Sequence, residues 1–199
     1  MDKITDTYLA HKAQKSLAAS RSTRTTFKLS QNSINALSEL SKVASQTTKE
    51  VIGTICKSFE QDETLRELAQ NLLNEKNSGK LKRRKTYVLP NGALKFLNTY
   101  SKKHNIPRDI IFDTFIKVYW TLLKYSEEIE KEKAEQALVI VRKICGSLVS
   151  AEEELKQILD EDNAILSRIS YLCVLADELV ASIKKYLSEG TPISNDPFE

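Results

Sequence analysis

Two six-residue segments decide the fold: Arg24-Thr-Thr-Phe-Lys-Leu29 and, sixty residues further along the chain, Arg84-Lys-Thr-Tyr-Val-Leu89. Polar and apolar residues alternate along both segments, and a period of two residues is typical of a β-strand with one buried face. The apolar face of each segment carries one aromatic residue and one leucine: Phe27 and Leu29 in the first, Tyr87 and Leu89 in the second. The sequence therefore predicts two short strands, each with an apolar inner face and a mostly polar outer face.

The same offset of sixty residues superposes residues 24–59 (repeat one) on residues 84–119 (repeat two) without a gap. The identical pairs are Arg24/Arg84, Thr26/Thr86, Leu29/Leu89, Leu37/Leu97, Ser41/Ser101, Lys42/Lys102, Thr54/Thr114 and Lys57/Lys117. Many of the other matched positions are apolar in both repeats. We therefore expect two copies of one structural unit within a mainly α protein.

Each repeat continues from its strand into two helices. Apolar residues recur at helical spacing in the first helix: Ile34, Leu37 and Leu40 in repeat one, and Leu94, Leu97 and Tyr100 in repeat two. Thr47 and Glu50 have the spacing of a capping box, in which two side chains satisfy free backbone donors at a helix start. Pro107 stands at the position that matches Thr47, and it favours a helix start but supplies no side-chain cap.

The chain must return from repeat one to the second strand. A helix that ran unbroken from Thr47 to Asn77 would leave a linker too short for that return. We therefore predict a break near Gln61 and Asp62, with Asp62 capping a returning helix that ends between Asn77 and Gly79. The apolar side of that helix carries Leu65, Leu68, Leu72 and Leu73.

One strand and two helices cannot bury their own apolar faces, so two such units must pair. The simplest arrangement pairs the two repeats of one chain around a shared core. In the alternative arrangement, strands pair between two chains. The sequence leaves both arrangements open.

Charge is distributed unevenly along the chain. Residues 1–126 carry 22 Lys/Arg and 11 Asp/Glu, a net charge of +11, whereas residues 127–199 carry 8 and 16, a net charge of −8. No acidic residue occurs from position 7 to 38 or from 76 to 108. This asymmetry indicates that the first part binds a polyanion and that the second part has another task.

The sequence also argues against several classes of protein. The three cysteines form no CxxC pair, which argues against a disulfide framework and a zinc site and favours a reduced, cytoplasmic compartment. His11 and His104 lie in basic segments that we expect to be exposed, and no glycine-rich loop, nucleophile elbow or metal-ligand spacing occurs. We predict that the chain is not an enzyme, needs no cofactor or metal, and neither enters a membrane nor is secreted.

The order of strand, helix, turn and capped helix resembles the ribbon-helix-helix family of small DNA-binding regulators. The resemblance lies in Thr86-Tyr-Val-Leu-Pro-Asn-Gly-Ala-Leu-Lys-Phe-Leu97 and Ser101-Lys-Lys-His-Asn-Ile-Pro-Arg108 of repeat two. In repeat one it lies in Thr26-Phe-Lys-Leu-Ser30 and Thr47-Thr-Lys-Glu-Val-Ile52. It covers roughly residues 22–60 and 82–120, and two such units in register make it more specific than one alone.

The resemblance implies an antiparallel ribbon that enters the major groove of duplex DNA. The residues that it places against base edges are Arg24, Thr26 and Lys28 on one strand and Arg84, Thr86 and Val88 on the other. Helix starts in this family also bind phosphate. The corresponding positions are Thr47, Thr48, Lys49 and Arg108, with Lys82, Arg83 and Lys85 adding attraction to the DNA backbone. Val88 departs from the usual polar residue, and Pro107 lacks an amide hydrogen, which weakens the second phosphate contact unless Arg108 compensates.

The sequence of the acidic part, residues 127–199, predicts helices. Gly146 and a capping-box spacing at Ser150 and Glu153 predict a turn there. Beyond it, apolar residues at alternating spacings of three and four run from Leu155 to Leu187. The residues assigned to association on this stripe are Leu155, Ile158, Ile165, Ile169, Leu172, Leu179 and Ile183. The stripe fits a bundle within the chain, self-association through residues 151–188, or binding of another protein.

These observations divide the chain as follows: an N-terminal arm (1–20), a first ribbon-helix-helix unit (21–60), a connecting helix and linker (61–81), a second unit (82–126), an acidic association region (127–189) and a flexible tail (190–199). The expected function is sequence-specific binding of double-stranded DNA by a nucleoid-associated transcriptional repressor or a plasmid transfer or partition accessory protein. The alternative is a helical scaffold or antitoxin-like adaptor whose acidic half binds a protein.

Overall fold

The computed structural model describes residues 21–74, 83–160 and 162–190. They form β1 (Ser22–Leu29), α1 (Gln31–Val43), α2 (Thr48–Gln61), α3 (Glu63–Asn74), β2 (Arg83–Pro90), α4 (Asn91–His104), α5 (Arg108–Lys156) and α6 (Ala164–Glu189). The prediction of a mainly α protein is confirmed. The chain divides into two compact units, of which the first ends at Ser126 and the second begins at Glu127. Among the described residues, no helix combines the length and apolarity needed to cross a membrane.

Among the described residues, β1 and β2 of the same chain pair antiparallel into a two-stranded ribbon. Thr26 lies opposite Thr86, and these two residues are themselves related by the sixty-residue offset. Arg24 lies opposite Val88, and Lys28 lies opposite Arg84. Shifting either of these pairs by sixty residues gives the other, so the ribbon has a local two-fold axis that passes between the two threonines.

The alternation predicted for the strands is confirmed. Phe27, Leu29, Tyr87 and Leu89 are buried in the core of the first unit. Aromatic pairs then join the two repeats, since the Phe59 and Phe115 rings stack with centroids 4.0 Å apart and the Phe27 and Phe112 rings lie 4.6 Å apart. Because each pair takes one ring from each repeat, neither repeat has a complete core without the other.

The predicted start of α2 and the predicted break after it are both confirmed. Thr47 and Glu50 form the capping box, and this hydrogen bonding lowers the pKa of the Glu50 carboxyl, with the Thr47 side chain as its main cause. Asp62 Oδ1 accepts hydrogen bonds from the amides of Thr64 (2.9 Å) and Leu65 (3.3 Å), which opens α3. The predicted end of α3 between Asn77 and Gly79 lies outside the described residues, as do the N-terminal arm, Lys82 and nearly all of the C-terminal tail.

The turns between the two helices of each repeat are also related by the sixty-residue offset. Ser45 (φ 50°) and Asn105 (φ 52°) both adopt the left-handed conformation. After α1, the amide of Gln46 donates to the carbonyl of Ser41 and the amide of Ser45 to that of Lys42, which is a Schellman motif. After α4, the amide of Ile106 donates in the same way to Ser101. The repeat therefore extends to the backbone of its turns.

We expect Ser45→Asn to stabilise the protein by about 0.5–1 kcal/mol, because asparagine tolerates the left-handed region better than serine and Ser45 is exposed. Urea denaturation would measure the change. Asn105→Ser is the matched control and should have the opposite effect. Equal stabilities for all three proteins would show that this backbone conformation costs nothing at these positions.

The turn predicted at Gly146 and Ser150–Glu153 is wrong. These residues lie inside α5, which continues to Lys156, and the turn instead includes the non-helical residues 157–160 and 162–163. A capping box needs an extended first residue, whereas the preceding apolar helix carries Ser150 along in helical conformation. Asn163 supplies the better cap, since its Oδ1 accepts from the amide of Ile165 at 2.9 Å.

The single stripe predicted from Leu155 to Leu187 is also wrong, because this turn interrupts it. Leu155 lies at the end of α5, and Ile158 lies in the turn, where it is 78% exposed. On α6 the remaining predicted positions separate into two groups. Ile169 is half-buried and Ile183 is buried, whereas Ile165, Leu172 and Leu179 are exposed. The other buried apolar residue of α6 is Leu166, which lies outside the predicted set.

Candidate nucleic-acid interface

The outer face of the ribbon is formed by alternate residues of β1 and β2. All six residues predicted to read bases lie there and are exposed: Arg24, Thr26, Lys28, Arg84, Thr86 and Val88. Successive side chains of a strand point to opposite faces, so the burial of Phe27 and Tyr87 on the inner side places these six on the outer side. The structure therefore brings the predicted residues of both strands onto one surface.

The ribbon carries only cationic and neutral side chains, since neither strand contains Asp or Glu. Lys28 and Arg84 face each other across the ribbon at one end. At the other end Arg24 faces Val88. Arg83 and Lys85, which were predicted to attract phosphate, are also exposed. The two ends thus differ in chemistry although the backbone is nearly symmetric.

The centre of the outer face is a hydroxyl pair. Thr26 Oγ1 and Thr86 Oγ1 lie 2.9 Å apart within hydrogen-bonding distance. One hydroxyl donates to the other, and the second keeps its own proton for an outside acceptor. Because both threonines are exposed, the pair offers a donor and acceptors at the local two-fold axis.

The helix starts differ in how far they are free to bind an anion. At the start of α2, Thr47 is exposed and Thr48 and Lys49 are half-buried, while the Glu50 carboxylate already accepts the amide of Thr47 at 2.8 Å. The start of α5 is more occupied. Arg108 donates through Nη2 to the carbonyl of Thr26 at 3.3 Å, and its guanidinium lies 4.5 Å from the centroid of the Phe27 ring. Arg108 therefore contacts β1 and stabilises its position in this structure.

Two carboxylates of α5 bind the backbone of repeat one. Asp109 Oδ2 accepts the amide of Lys28 at 2.9 Å. Asp113 Oδ1 accepts both the amide and the hydroxyl of Ser30, each at 2.8 Å, and its Oδ2 lies 2.7 Å from Lys117 Nζ. Together these bonds fix the end of β1 and the start of α1 against repeat two.

Asp113 is only 3% exposed, yet it stays ionised. Burial raises the pKa of its carboxyl, but the hydrogen bonds from Lys117, Ser30 and Ser33 outweigh burial, and the pKa lies below its usual range. A buried carboxylate of this kind stabilises the fold only while all its donors are in place. It is therefore a structural group that holds the ribbon in position.

We expect Asp113→Asn to lower the free energy of unfolding by about 2–3 kcal/mol at neutral pH, since hydrogen bonds to a charged acceptor are lost. A lowered pKa means that the carboxylate contributes above the ordinary aspartate pKa near 4 and that this contribution is lost as pH falls through the lowered value. The difference between wild type and variant in urea denaturation should thus be largest at pH 7 and shrink below about pH 4. A difference that stays constant down to pH 2 would contradict an ionised Asp113.

The histidine and cysteine residues, which could in principle serve catalysis or metal binding, are characterised by their contacts. His104, expected to be exposed, is half-buried, because its ring lies 4.2 Å from that of Tyr100 and its Nδ1 lies 3.1 Å from Gln70 Nε2. His11 lies outside the described residues. Cys56 is buried, and burial raises the pKa of its thiol strongly, which makes it unreactive. Within the described ranges, no cluster of three or more His, Cys, Asp or Glu residues could hold a metal ion.

Sequence reasoning missed the roles of Asp109 and Asp113. A signal was present, because repeat one has Lys49 and Gly53 at the matching positions. A carboxylate that stands where the other repeat has glycine, in the middle of an apolar helix face, indicates a partner elsewhere in the core.

The comparison with protein-family models, the comparison with curated proteins and the comparison with solved structures each give no match, so the function must be inferred from this chain's own residues.

Proposed function

We propose that the chain is a ribbon-helix-helix DNA-binding protein in which both strands of the ribbon belong to one polypeptide. The observation that carries this proposal is the outer face of the ribbon, where cations and hydroxyls are exposed with no carboxylate among them. A two-stranded ribbon has the width that the major groove of B-form DNA admits. The inner face is packed against helices of both repeats, which supports a rigid reading surface.

The chemistry of the outer face supports base reading. Arginine and lysine donate to the O6 and N7 atoms of guanine, threonine bonds to several bases, and a valine methyl group contacts the thymine methyl group. We assign the Lys28 and Arg84 end to guanine and the Val88 end to a mixed or thymine-containing step. Thr47, Thr48, Lys49, Arg83 and Lys85 are assigned to phosphate. A regulator of this kind acts as a transcriptional repressor or as an accessory protein of plasmid transfer or partition.

The salt dependence of binding tests the proposal. Full-length protein should bind a fluorescent duplex at low salt. The logarithm of the binding constant should fall linearly with the logarithm of the salt concentration, with a slope of roughly −4.5 to −7 for about five to eight neutralised phosphates. One duplex selected from a random pool should compete far better than bulk DNA. Absence of binding at 50 mM salt would rule out the proposal.

We further propose that the second unit associates with a second copy of itself. Within this unit Ser170 Oγ donates to Glu152 Oε1 at 2.7 Å, so α6 turns back along the end of α5. The half-buried and buried residues of both helices recur at spacings of three and four and define the seam between them. Among residues 127–160 and 162–190, only Leu138, Leu166 and Ile183 are apolar and buried. So small a core cannot stabilise a helical hairpin alone.

One side of this hairpin, here called the apolar face, flanks the seam on both helices. It consists of Ala137, Ile140, Ile144 and Ala151 of α5 and Ile165, Leu172, Leu175, Leu179 and Tyr186 of α6. Five of these side chains, Ile140, Ile144, Ile165, Leu172 and Leu179, are between 42% and 59% exposed. The opposite side carries Glu135, Arg142, Glu153, Asp177 and Lys184 among its residues. A helix pair with seam residues plus one apolar flank is typical of half a four-helix bundle.

A second copy is the occupant that best fits this face. The nine residues that define this face are uncharged, although the unit has a net charge of −8, and Lys133, Glu154 and Arg168 lie at its edge. Two copies would bury on the order of 1,000 Å² in total, which is the size at which specific interfaces begin. Two linked ribbons would also bind repeated DNA sites with higher avidity. The alternative is an adaptor role, in which another protein covers the same face.

A further inference from the structure

The polar cluster around Asp113 occurs on only one side of the paired repeats. On that side Asp113 of repeat two accepts from the amide and hydroxyl of Ser30 in repeat one. Ser33 Oγ also donates to the backbone carbonyl of Asp113 at 3.3 Å. Ser33 is fully buried and Asp113 nearly so. Asp113 thus has hydrogen-bond partners in both serines of repeat one, of which Ser33 is buried and Ser30 is half-buried.

The other side of the local two-fold axis has none of this chemistry. The sixty-residue offset matches Asp113 with Gly53, which has no side chain. It matches the two serines with Pro90 and Ala93, so the amide and both hydroxyls are missing there together. Pro90 precedes α4 without a side-chain cap, and all three of these residues are buried. On one side polar groups bond to one another, whereas the matching residues on the other side are apolar and buried.

We propose that this difference makes pairing selective, so that repeat one pairs with repeat two and repeat two does not pair with a second repeat two. In a pair of two second repeats, the local symmetry would place each Asp113 against Pro90 and Ala93. Each carboxylate would then be buried without the two donors that Ser30 supplies, keeping only Lys117, and the Asp113 carbonyl would lose the hydroxyl of Ser33. A buried charge that loses its donors is strongly unfavourable.

Asp109 provides a natural contrast, because its partner is a backbone amide. It accepts from the amide of Lys28, and the matching position in β2, Val88, also has an amide. A pair of two second repeats would therefore satisfy Asp109 as well as the native pair does. The discrimination belongs to Asp113 and not to acidic residues of α5 in general.

Selective pairing has a consequence for the ribbon. Every ribbon must contain one β1 and one β2, so it always has one Lys28–Arg84 end and one Arg24–Val88 end. If the proposed function holds, the DNA site of one ribbon is directional and not palindromic. The pairing itself does not depend on DNA, and it is tested without DNA.

The test traps pairs with a disulfide at the local two-fold axis. In full-length protein with Cys145→Ser and Cys173→Ser, Thr86→Cys places two thiols directly opposite each other only when two second repeats pair, at a Cα separation of about 4.5–5.5 Å that allows a disulfide. The protein is unfolded, refolded at high concentration, oxidised and run on a non-reducing gel. Thr26→Cys with Thr86→Cys is the positive control and should form a disulfide within one chain.

When Asp113, Pro90 and Ala93 are unchanged, Thr86→Cys should give little covalent dimer. Adding Pro90→Ser and Ala93→Ser returns donors to Asp113 in the disfavoured pair, and the dimer should rise roughly tenfold, as recovered hydrogen bonds to a charged acceptor allow. Asp113→Ala should raise it as well, by removing the charge. Asp109→Ala should leave it unchanged. The proposal is overturned if the native cluster already gives abundant dimer, or if neither change around Asp113 raises it above the Asp109→Ala level.

Discussion

Lys28→Ala combined with Arg84→Ala is expected to weaken binding of the selected duplex on the order of 100-fold or more at moderate salt, since each contact to a guanine edge contributes about 1–3 kcal/mol. The two side chains lie opposite each other on the exposed face of the ribbon. Base preference should relax at the positions that they contact. Fluorescence titration against the selected and a scrambled duplex measures both effects.

The same variant should fold at least as well as the wild type. Like charges directly opposite each other in a ribbon repel, and removing them should stabilise the protein by roughly 0.2–1 kcal/mol. Loss of binding with retained or raised stability would separate a DNA contact from a folding defect. Arg142→Ala with Lys143→Ala, which removes two exposed cations from the second unit, is the matched control and should change affinity little. Equal losses in both variants would leave only a general charge effect and contradict base reading by the ribbon.

Ile144→Glu combined with Leu172→Glu is expected to convert a dimer into a monomer, halving the mass measured by light scattering. Both side chains lie on the apolar face and are about half exposed, at 50% and 47%. A buried glutamate without a partner costs several kcal/mol, and the two-fold symmetry of a dimer would double that cost. Binding to a duplex with two sites should weaken far more than binding to one site, because avidity is lost.

Val139→Glu combined with Val174→Glu is the matched control. These valines are equally exposed, at 53% and 54%, but lie on the opposite side of the hairpin. This control should keep the mass of a dimer. If it also yields monomers, the apolar face is not the interface. If wild type and both variants are all monomers, another protein or the chain itself covers the face, and the adaptor role gains support.

Local patterns in the sequence predicted much of the first unit. The alternation in Arg24–Leu29 and Arg84–Leu89 identified both strands and their buried faces, because a ribbon lying on helices leaves little freedom in which side faces inward. The capping box at Thr47 and the break at Asp62 were also predicted correctly. Both depend on hydrogen bonds between residues two or three positions apart, which the sequence displays directly.

Features that depend on competition between segments were not predictable in the same way. Ser150 and Glu153 have capping spacing, but whether they cap depends on whether the helix before them has already ended. The stripe beyond Leu155 mixes seam and flank positions, and only the packing of α6 on α5 separates Leu166 from Ile165. The contact of Asp113 with Ser30 spans 83 residues, so no short window of sequence could contain it.

The pairing of β1 with β2 also bears on how the protein is made. The ribbon joins residues about sixty positions apart, and closing so long a loop delays pairing relative to the local helices. At a synthesis rate of 5–20 residues per second, β1 leaves the ribosome roughly 3–12 s before its partner strand exists. During that interval Phe27 and Leu29 lack the core residues that repeat two supplies, and the unpaired edge of β1 is open to other strands. We expect the basic, acid-free sequence around β1 to keep nascent chains apart by mutual repulsion until β2 is synthesised.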